Sequence, residues 1–514
     1  MNGAQSLVAT LVDQGVDICF ANPGTSEMHF LAALENPKMR SVLCLFEGVA
    51  TGAADGWYRM KDTPASTLLH LGPGLANGLA NIHNAKRASS GMVNIIGEHS
   101  TSHLKYNPPL TSDIEGLARP LSHWIRRADS ADTIAWDTAT AVAKASEHPG
   151  KIATLILPGD TSWQQATAAL TPPRTVAART APNPARIEHV AKVLRSGEPT
   201  LIILGNRATR GAALERAGKV AAATGARLGS QFFTARIERG AGRVPIERIP
   251  YAVPLAQAFL KDFRHIVTVE TQEPVAFFAY PDKPSLLKAE GTLVHTLVEA
   301  DEDSALAFEM LLDALNARSV RPVLQARVQT PAPEGALTPL SISHALSAAL
   351  PENAIVVDES LTTGRETMGH TMGAAPHDLI NNMGGSIGYA TPVATGAALA
   401  CPERRVICMV GDGSAMYTIQ SLWTQARENL NVTTIIFANN SYAILKAEYA
   451  NMGAGTPGER ALSMIDIDRP RIDWLAMAKS MGVPGVGVDT AQAFHQALVD
   501  ATREPGPRLI EVRL

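Results

Sequence analysis

Short apolar and β-branched runs alternate with helical segments along most of this chain. Residues 406–410 and 433–438 are two such runs, and their composition predicts buried parallel strands. Between them, apolar residues such as Leu422 and Leu430 recur at helical spacing, and Ser414 is placed to cap that helix. The stretch therefore predicts a β-α-β unit whose polar residues gather at the carboxyl ends of the strands, where open α/β sheets bind ligands.

The same alternation continues on both sides of this unit. A helix is predicted over residues 4–13, and further strands are predicted over residues 16–20, 41–46, 65–70, 92–97, 152–157, 200–204, 265–269 and 354–357. Proline-rich breaks at residues 171–184 and 330–335 divide the chain. We expect an α/β protein with three domains, each a doubly wound parallel sheet, over residues 1–170, 185–329 and 338–514.

Composition and charge narrow the class of protein. The 514 residues carry a formal net charge of −4, which gives no reason to expect a nucleic acid or an anionic membrane as a partner. The four cysteines lie in apolar runs without metal-binding spacing, and we expect them to be reduced core residues. The amino terminus lacks a signal-like pattern, and no run of about 18 apolar residues occurs, so we expect a cytoplasmic protein with no membrane segment.

A Gly-Asp-Gly sequence follows the first strand of the β-α-β unit. Gly411 and Gly413 let backbone N–H groups approach an anion, and Asp412 supplies a hard oxygen ligand. Asn439, 27 residues after Asp412, can add an amide oxygen, and Ser441 can add a backbone carbonyl. These ligands suit Mg²⁺ bound to a phosphate. Because Gly-Asp-Gly also occurs in ordinary turns, the prediction depends on the Asn-Asn pair at this spacing.

The Gly-Asp-Gly and Asn-Asn pattern resembles the cofactor motif of thiamine-diphosphate enzymes, and nearly the whole chain resembles the group of acetolactate synthase large subunits and benzoylformate decarboxylase. The resemblance implies pyrimidine-binding, middle and diphosphate-binding domains in that order. It also implies thiamine diphosphate and Mg²⁺ as cofactors. The metal is expected on Asp412, Asn439 and the Ser441 carbonyl, because the spacing favours Asn439 over Asn440. The residues expected around the cofactor are Gly411, Gly413, Ser414, Tyr442 and Thr362.

The resemblance implies catalytic residues in the amino-terminal domain as well. Glu47 precedes a small-residue helix and matches the glutamate that bonds the aminopyrimidine ring of the cofactor and shares a proton with it. Thr25 and His70 match the serine and histidine that border the thiazolium ring in benzoylformate decarboxylase, and Ile387 matches the apolar residue that supports the bent cofactor. The alternative interpretations are a helix-start carboxylate for Glu47, a core histidine for His70 and a turn residue for Thr25.

The activity that the resemblance implies is decarboxylation of a 2-oxo acid through an enamine, which is then protonated or captured by a second carbonyl compound. Two departures bear on the protonation step. Ala279 stands about where benzoylformate decarboxylase has a second histidine, and Leu445 stands where pyruvate decarboxylase has a glutamate. The alternatives are a hydroxyketone lyase or carboligase that does not decarboxylate, and a catalytically silent thiamine-diphosphate-binding subunit.

Cofactor and partner expectations complete the sequence-based hypothesis. The short middle domain and the loose glycine pattern of residues 205–211 do not support FAD, and the fingerprint of a nicotinamide dehydrogenase is missing. The resembling enzymes build each site between two subunits, so we expect at least a homodimer and, as in most of them, a homotetramer. Further pocket candidates are His99, His103, Leu110, Thr111, Thr363, Phe277, Phe278 and Glu448.

Overall fold

The computed structural model of the protein describes residues 1–167, 176 and 178–514, and in this part of the chain three β-sheets are flanked by helices. Five strands of the middle segment form one of these sheets, between a six-stranded amino-terminal sheet and a seven-stranded carboxyl-terminal sheet. The predicted α/β class is therefore confirmed. The proposed boundary around residues 171–184 lies partly outside the described residues.

The first sheet is wholly parallel and has the strand order β2-β1-β3-β4-β6-β5. Its strands are β1 (Ile18–Asn22), β2 (Arg40–Leu43), β3 (Ala65–Leu69), β4 (Met92–Glu98), β5 (Trp124–Arg127) and β6 (Ile152–Pro158). Its helices are α1 (Gly3–Asp13), α2 (Met28–Ala33), α3 (Glu47–Lys61), α4 (Leu71–Arg87), α5 (Thr101–Leu104), α6 (Ile114–Ala118), α7 (Ile134–Ala145) and α8 (Gly159–Trp163). Because β1 to β4 run in one direction, their carboxyl ends lie along one edge of the sheet, as the sequence predicts.

The second sheet is also parallel, with the order β10-β8-β7-β11-β12. Its strands are β7 (Thr200–Leu204), β8 (Arg227–Ser230), β10 (Glu247–Arg248), β11 (His265–Val269) and β12 (Leu293–Val298). The helices of this segment are α9 (Pro184–Arg195), α10 (Gly211–Thr224), α11 (Val253–Leu260) and α12 (Ser304–Ala314). The one strand of this segment that joins another sheet is β9 (Ile237–Arg239), as far as the structure describes the chain.

The third sheet has the order β17-β18-β16-β15-β13-β14-β9 and is parallel except for β9, which pairs antiparallel with β14. Its other strands are β13 (Ala354–Glu359), β14 (His377–Asn381), β15 (Val406–Gly411), β16 (Val432–Ala438), β17 (Gly485–Val488) and β18 (Arg508–Arg513). Its helices are α13 (Pro339–Ala349), α14 (Thr367–His370), α15 (Ala390–Ala400), α16 (Asp412–Ala415), α17 (Ser421–Arg427), α18 (Ala443–Asn451), α19 (Glu459–Leu462), α20 (Trp474–Ser480) and α21 (Ala491–Arg503).

Two local predictions differ from the structure. The helix expected to start at Ser414 is split into α16 and α17, and Gly411, not Ser414, precedes its first residue. In the turn between them, Thr418 Oγ1 donates a hydrogen bond to the carbonyl of Gly388, 2.9 Å away. The strand expected over residues 41–46 ends at Leu43, because Phe46 already occupies the position before the first turn of α3.

Small residues let α3 and α15 approach closely, and this contact connects the first and third sheets. A Cβ added to Gly396 would lie 1.8 Å from the carbonyl oxygen of Ala53, and one added to Gly56 would lie 2.1 Å from that of Val393. The small-residue run after Glu47 is therefore a packing surface. It also determines the direction in which the first turn of α3, with Glu47, points. Within the described ranges, none of the helices combines the length and apolar character needed to cross a membrane.

Candidate functional site

A cleft of about 320 Å³ opens at the carboxyl ends of β13, β15 and β16, where the sequence predicts the diphosphate and its metal. Every residue predicted for the metal and the diphosphate lines it. These residues are Thr362, Gly411, Asp412, Gly413, Ser414, Asn439, Ser441 and Tyr442. The remaining lining residues are Ser360, Leu361, Thr363, Ala443 and Ile444.

Asp412 opens α16 and is 3% exposed. Its Oδ1 accepts a hydrogen bond from Gly413 N at 2.8 Å, and its Oδ2 accepts one from Asn440 N at 2.6 Å. Burial raises the pKa of Asp412 above its usual value, and these backbone donors oppose the shift. Each carboxylate oxygen has more than one lone pair, so Asp412 can still bind a cation, which would also offset the cost of burying its charge.

The turn after β16 brings two more oxygen ligands to the cleft. Asn440 has a φ of 54°, and this left-handed residue turns the chain so that Asn439 and Ser441 line the cleft while Asn440 donates its N–H to Asp412. Ser441 Oγ donates a hydrogen bond to Asp466 Oδ1 at 2.8 Å, and this bond ties the turn to the segment after α19. In the described residues no group of three or more His, Cys, Asp and Glu side chains is placed to bind a metal ion, so the mixed oxygen set in this cleft is the candidate.

The shape of the cleft fits a phosphate group. A Cβ added to Gly413 would lie 2.4 Å from the ring of Tyr442, and nothing lies within 4 Å of one added to Gly411. Gly413 therefore makes room for the ring of Tyr442, and Gly411 leaves the backbone at the start of α16 open to a ligand. The amino terminus of a helix with such an open backbone binds anions. Carboxylate, amide and carbonyl oxygens are ligands that Mg²⁺ accepts. These residues fit thiamine diphosphate and its metal.

Glu47 is the first residue of α3 and is 8% exposed. Asn77 Nδ2, on α4, donates a hydrogen bond to Glu47 Oε2 at 3.0 Å. A Cβ added to Gly74 would lie only 3.1 Å from Glu47 Oε1, so the glycine leaves space beside that oxygen. One oxygen of Glu47 is thus anchored by a neighbouring helix and the other is open to a ligand. Sequence reasoning missed Asn77, although it lies in the glycine-rich segment after β3.

His70 directly follows β3 and is held by a carboxylate that sequence reasoning also missed. Its Nδ1 lies 2.8 Å from Glu27 Oε2 and 3.5 Å from Ser26 Oγ. Glu27 is 1% exposed, whereas Thr25, the predicted residue, has an exposed side chain. Ser26 and Glu27 of this turn thus contact His70, whereas the exposed Thr25 side chain stays a predicted neighbour of the cofactor. A Cβ added to Gly24 would meet the imidazole ring at 2.0 Å, which explains the glycine of the turn.

Ile387 lies in a turn that side chains of two neighbouring segments hold in place. Asn84 Nδ2 on α4 donates to the carbonyl of Ser386 at 2.8 Å. Glu359 Oε2 at the end of β13 accepts from the N–H groups of Tyr389 and Ala390, at 3.0 and 2.8 Å. Burial raises the pKa of Glu359 to about 7, although these donors lower it. Ile387 is half-buried, and its turn lies beside the carboxyl group of Glu359, which loses its proton near neutral pH.

Glu448 belongs to a polar group that the sequence did not reveal. It lies on α18, one helical turn after Ile444 of the cleft, and its Oε2 is buried without a hydrogen-bond partner. Burial and the neighbouring Tyr251 and Glu448 raise the pKa of the Tyr280 hydroxyl. The ring of Tyr251 also packs against that of Phe277, with centroids 5.7 Å apart. Tyr251 and Tyr280 are separated from Glu448 by more than 150 residues, so no local pattern could identify this group.

The site residues predicted in the amino-terminal domain do not line the diphosphate cleft of the same chain. None of the described residues before Ser360 lines the diphosphate cleft, so Glu47 and His70 contribute to a different surface of the same chain. His99 and His103 pack ring against ring with centroids 5.9 Å apart, on the segment after β4. His99 Nε2 is buried and lacks a hydrogen-bond partner.

Comparison with known proteins agrees with this geometry. The family model of the thiamine pyrophosphate enzyme N-terminal TPP binding domain matches residues 1–119, and that of the C-terminal TPP binding domain matches residues 363–512. The first range contains Glu47 and His70, and the second contains Asp412, Asn439 and Ile387.

Several proteins are similar over nearly the full length. A Mycobacterium tuberculosis protein named provisionally as acetolactate synthase large subunit IlvX is 49% identical over 100% of this chain and 99% of its own. Benzoylformate decarboxylase of Pseudomonas aeruginosa is 28% identical over 97% of this chain and 96% of its own. The structure of the thiamine diphosphate-dependent 4-hydroxybenzoylformate decarboxylase of Rhodococcus jostii RHA1 superimposes with a TM-score of 0.85 and 24% identity, covering 100% of this chain and 99% of that one, and it supports the fold. The chain belongs to the family of thiamine pyrophosphate enzymes.

Proposed function

We propose that this protein is a thiamine-diphosphate- and Mg²⁺-dependent enzyme that removes CO₂ from a 2-oxo acid and then either protonates the remaining carbon or joins it to a second carbonyl compound. The observation that carries the proposal is the cleft in which Asp412, Asn439 and Ser441 converge beside the first turn of α16. The names of the relatives, acetolactate synthase large subunit and benzoylformate decarboxylase, support a 2-oxo acid as the substrate.

Each part of the cofactor has residues that would hold it. Asp412, Asn439 and the Ser441 carbonyl would bind the Mg²⁺. The diphosphate would lie against the backbone of Gly411 and Gly413 and accept from the N–H group of Ser414. When bound, thiamine diphosphate supplies a carbon nucleophile for the keto group and an electron sink for the bond that breaks when CO₂ leaves. Ile387 lies in a turn whose following residues, Tyr389 and Ala390, donate to Glu359, and it would support the cofactor between these two ends.

Glu47 and His70, in the amino-terminal domain, would take part in proton transfer. Glu47 would share a proton with the aminopyrimidine ring through the oxygen that Asn77 leaves open. Because Glu27 accepts from His70 Nδ1, the Nε2 atom of His70 is the one that can bond the substrate or exchange a proton with it. Apolar side chains such as Ile387 and Ile444 would keep water out, which favours loss of CO₂ because charge is dispersed in that step.

A complete site would need two chains. The cleft holds only residues from Ser360 onwards among those described, whereas Glu47 and His70 lie elsewhere in the same chain. We propose that Glu47 of one subunit faces Asp412 of another in a homodimer or a larger homo-oligomer in the cytoplasm. The buried, anchored Glu47 argues against a silent cofactor-binding subunit, because binding alone would not require it.

The proposal includes two outcomes for the carbon that remains after CO₂ leaves: it is protonated, or it is joined to a second carbonyl compound. Ala279 offers no proton donor, but Glu448 lies on α18 one turn beyond Ile444, and the Tyr280 hydroxyl neighbours it. These groups support release of an aldehyde. The half-exposed Phe277 and Phe278 beside them offer an apolar surface that a second carbonyl compound could use.

The test is to incubate the purified protein with thiamine diphosphate, Mg²⁺ and a panel of 2-oxo acids, and to measure both CO₂ and the organic product. An aldehyde identifies a decarboxylase, and a hydroxyketone identifies a carboligase. The matched controls omit the cofactor or replace Mg²⁺ by a chelator, and both should abolish CO₂ release. Absence of CO₂ from every acid, with cofactor bound, would refute the proposal in favour of a lyase or a silent binder.

A further inference from the structure

Three histidines and a glutamate form one continuous row of hydrogen bonds beside the amino-terminal ends of β7 and β11. His189 Nε2, on α9, lies 3.0 Å from His295 Nδ1, on β12. His295 Nε2 lies 3.1 Å from Nδ1 of His265, the first residue of β11. His265 Nε2 lies 2.9 Å from Glu198 Oε2, in the segment before β7. These four side chains, called the histidine network below, join a helix to the second sheet.

The register of the sheet explains why the three rings meet. Val267 of β11 lies opposite His295 of β12, so His265, two residues before Val267, points to the same face of the sheet as His295. The ring of His295 lies between the other two, with centroids 5.0 Å from His189 and 5.2 Å from His265. His189 is exposed, whereas His265 is 6% exposed. The network therefore leads from the solvent to a buried imidazole.

The carboxylate at one end determines where each imidazole carries its proton. A carboxylate only accepts hydrogen bonds, so His265 donates from Nε2 to Glu198, and its Nδ1 is an acceptor while the ring is neutral. His295 must then donate from Nε2 to His265 and accept at Nδ1, and His189 must donate from Nε2 to His295. All three neutral rings thus have the Nε2–H tautomer, and the nitrogen left without a partner in the network is Nδ1 of His189.

The network can hold one additional proton without losing a hydrogen bond. His189 takes the proton at Nδ1 and passes its Nε2 proton to His295, which passes its own Nε2 proton to Nδ1 of His265. The positive charge then lies on His265 beside the carboxylate of Glu198, and both bonds between imidazoles run in the opposite direction. A second proton leaves too few acceptors, because neutral His295 has a single lone pair for two protonated neighbours. One bond between imidazoles must then break.

The histidines themselves are the main charges that act on the centre of the network. Burial and the neighbouring His189 and His265 lower the pKa of His295. Arg264 Nε lies 3.9 Å from the other carboxylate oxygen of Glu198. As far as the structure describes the chain, the remaining charged residues on adjoining elements form no ion pair with the network. They are Arg186, Glu188, Lys192 and Arg195 on α9, Lys261 and Asp262 before β11, Glu290 and Glu299 on either side of β12, and Glu309 and Asp313 on α12.

We infer that the histidine network is a pH-sensitive connection that holds α9 on the second sheet while it carries at most one additional proton, and that acid releases α9. Once α9 detaches, His189 can bind a proton by itself. His295 and His265 can still share another, because Nδ1 of His295 then faces solvent. Detachment therefore takes up one proton more than the closed network holds. Each unit of pH below the usual pKa of an imidazole, about 6.5, should favour detachment by about tenfold.

The experiment is amide hydrogen exchange of the holoenzyme, saturated with thiamine diphosphate and Mg²⁺, from about pH 8 to about pH 5. The measured quantity is the protection factor of α9, which corrects for the pH dependence of exchange in an unfolded chain. Protection of α9 should be constant above about pH 7 and should fall by about tenfold per unit between about pH 6 and pH 5. The neighbouring helix α10 contains no histidine and is the internal reference.

His189→Gln should remove this pH dependence, because the amide can donate to His295 or accept from it, so attached and detached α9 then bind the same number of protons. A purely structural role of His189 would change the level of protection but not its slope against pH. His495→Gln, on α21, is the matched control and should keep the wild-type slope. Equal slopes for α9 and α10 in the wild type, or an unchanged slope in His189→Gln, would overturn the inference.

A second measurement does not depend on any variant. Nitrogen NMR of the holoenzyme labelled with ¹⁵N-histidine at about pH 8 should show the Nε2–H tautomer for His189, His295 and His265. An Nδ1–H tautomer for His295 or His265 at that pH would contradict the assigned direction of the hydrogen bonds and overturn the inference. Neither measurement depends on the substrate or on the proposed reaction.

Discussion

His70 and Glu27 form a hydrogen-bonded pair in which the imidazole Nδ1 lies 2.8 Å from one carboxylate oxygen and 3.1 Å from the other. The carboxylate packs so closely against Gly97 that a Cβ there would lie 1.7 Å from Glu27 Oε1. A carboxylate at Nδ1 keeps a proton on that nitrogen and leaves Nε2 available. The orientation and tautomer of His70 therefore depend on a residue 43 positions earlier in the chain.

Replacing Glu27 by glutamine should lower kcat by roughly 10²-fold or more, because a neutral amide no longer fixes the tautomer of His70. The variant should still bind thiamine diphosphate, since Glu27 does not line the diphosphate cleft. Steady-state kinetics and cofactor titration measure the two effects. Glu35→Gln, an exposed carboxylate after α2, is the control and should behave as wild type. An unchanged kcat in Glu27→Gln would show that the pair has only a structural role.

Glu47→Gln should abolish turnover, with a loss on the order of 10²- to 10⁴-fold, while cofactor binding stays nearly intact. The amide can still accept the hydrogen bond from Asn77, so α3 and α4 should keep their packing. Quenching of protein fluorescence by thiamine diphosphate measures binding, and CO₂ release measures turnover. If the variant turns over at the wild-type rate, Glu47 has no part in the proton transfer.

Mixing two inactive variants should restore activity if each site contains Glu47 of one chain and Asp412 of another. A hybrid of Glu47→Gln and Asp412→Ala chains would carry one doubly altered site and one intact site. Random exchange of subunits would make half of the dimers hybrid, so about a quarter of the wild-type activity should return. Sites built within a single chain would give no recovery, because each hybrid would then contain two defective sites.

Stability should fall as the pH rises from about 4.5 to about 7, because the folded protein keeps a proton on Glu359 that the unfolded chain has already lost. With a shift of this size, Glu359 changes the free energy of unfolding by about 3 kcal/mol across that window. Its contribution is fully present below pH 4.5 and is lost as the pH passes 7.

Glu359→Gln should flatten this part of the profile, since glutamine does not titrate and its oxygen can still accept from Tyr389 and Ala390. Denaturant unfolding at several pH values measures the effect. Glu352→Gln, on the exposed segment before β13, serves as the control and should keep the wild-type slope. Parallel profiles for wild type and Glu359→Gln would contradict the prediction.

Glu448→Gln should reduce the aldehyde as a share of the product, by roughly tenfold or more if Glu448 and Tyr280 supply the proton. CO₂ release in the first turnover should change little, because that step needs no proton from Glu448. Product analysis after rapid quenching distinguishes the two. Glu459→Gln, an exposed carboxylate on α19, is the control. If Glu448→Gln releases aldehyde as the wild type does, another group carries the proton.

The sequence alone predicted ten of the eighteen described strands, the α/β class with three sheets and the residues that line the diphosphate cleft. Buried parallel strands need continuous apolar runs, and the cleft is built from Asp412, Asn439 and Ser441, which follow two adjacent strands and so must meet at one sheet edge. The choice of Asn439 over Asn440 depended only on local spacing, and Asn439 is the one that lines the cleft.

Only the tertiary structure showed the pair of Glu27 and His70 and the proximity of Tyr280 to Glu448. The members of each come from segments that are distant in the chain and carry no shared periodicity. The contact of Ser26 with His70 and that of Thr418 with Gly388, in the turn that divides the predicted helix, also join distant segments. Local patterns determine which elements form, whereas the packing of α3 on α15 and of one sheet on another decides which side chains meet.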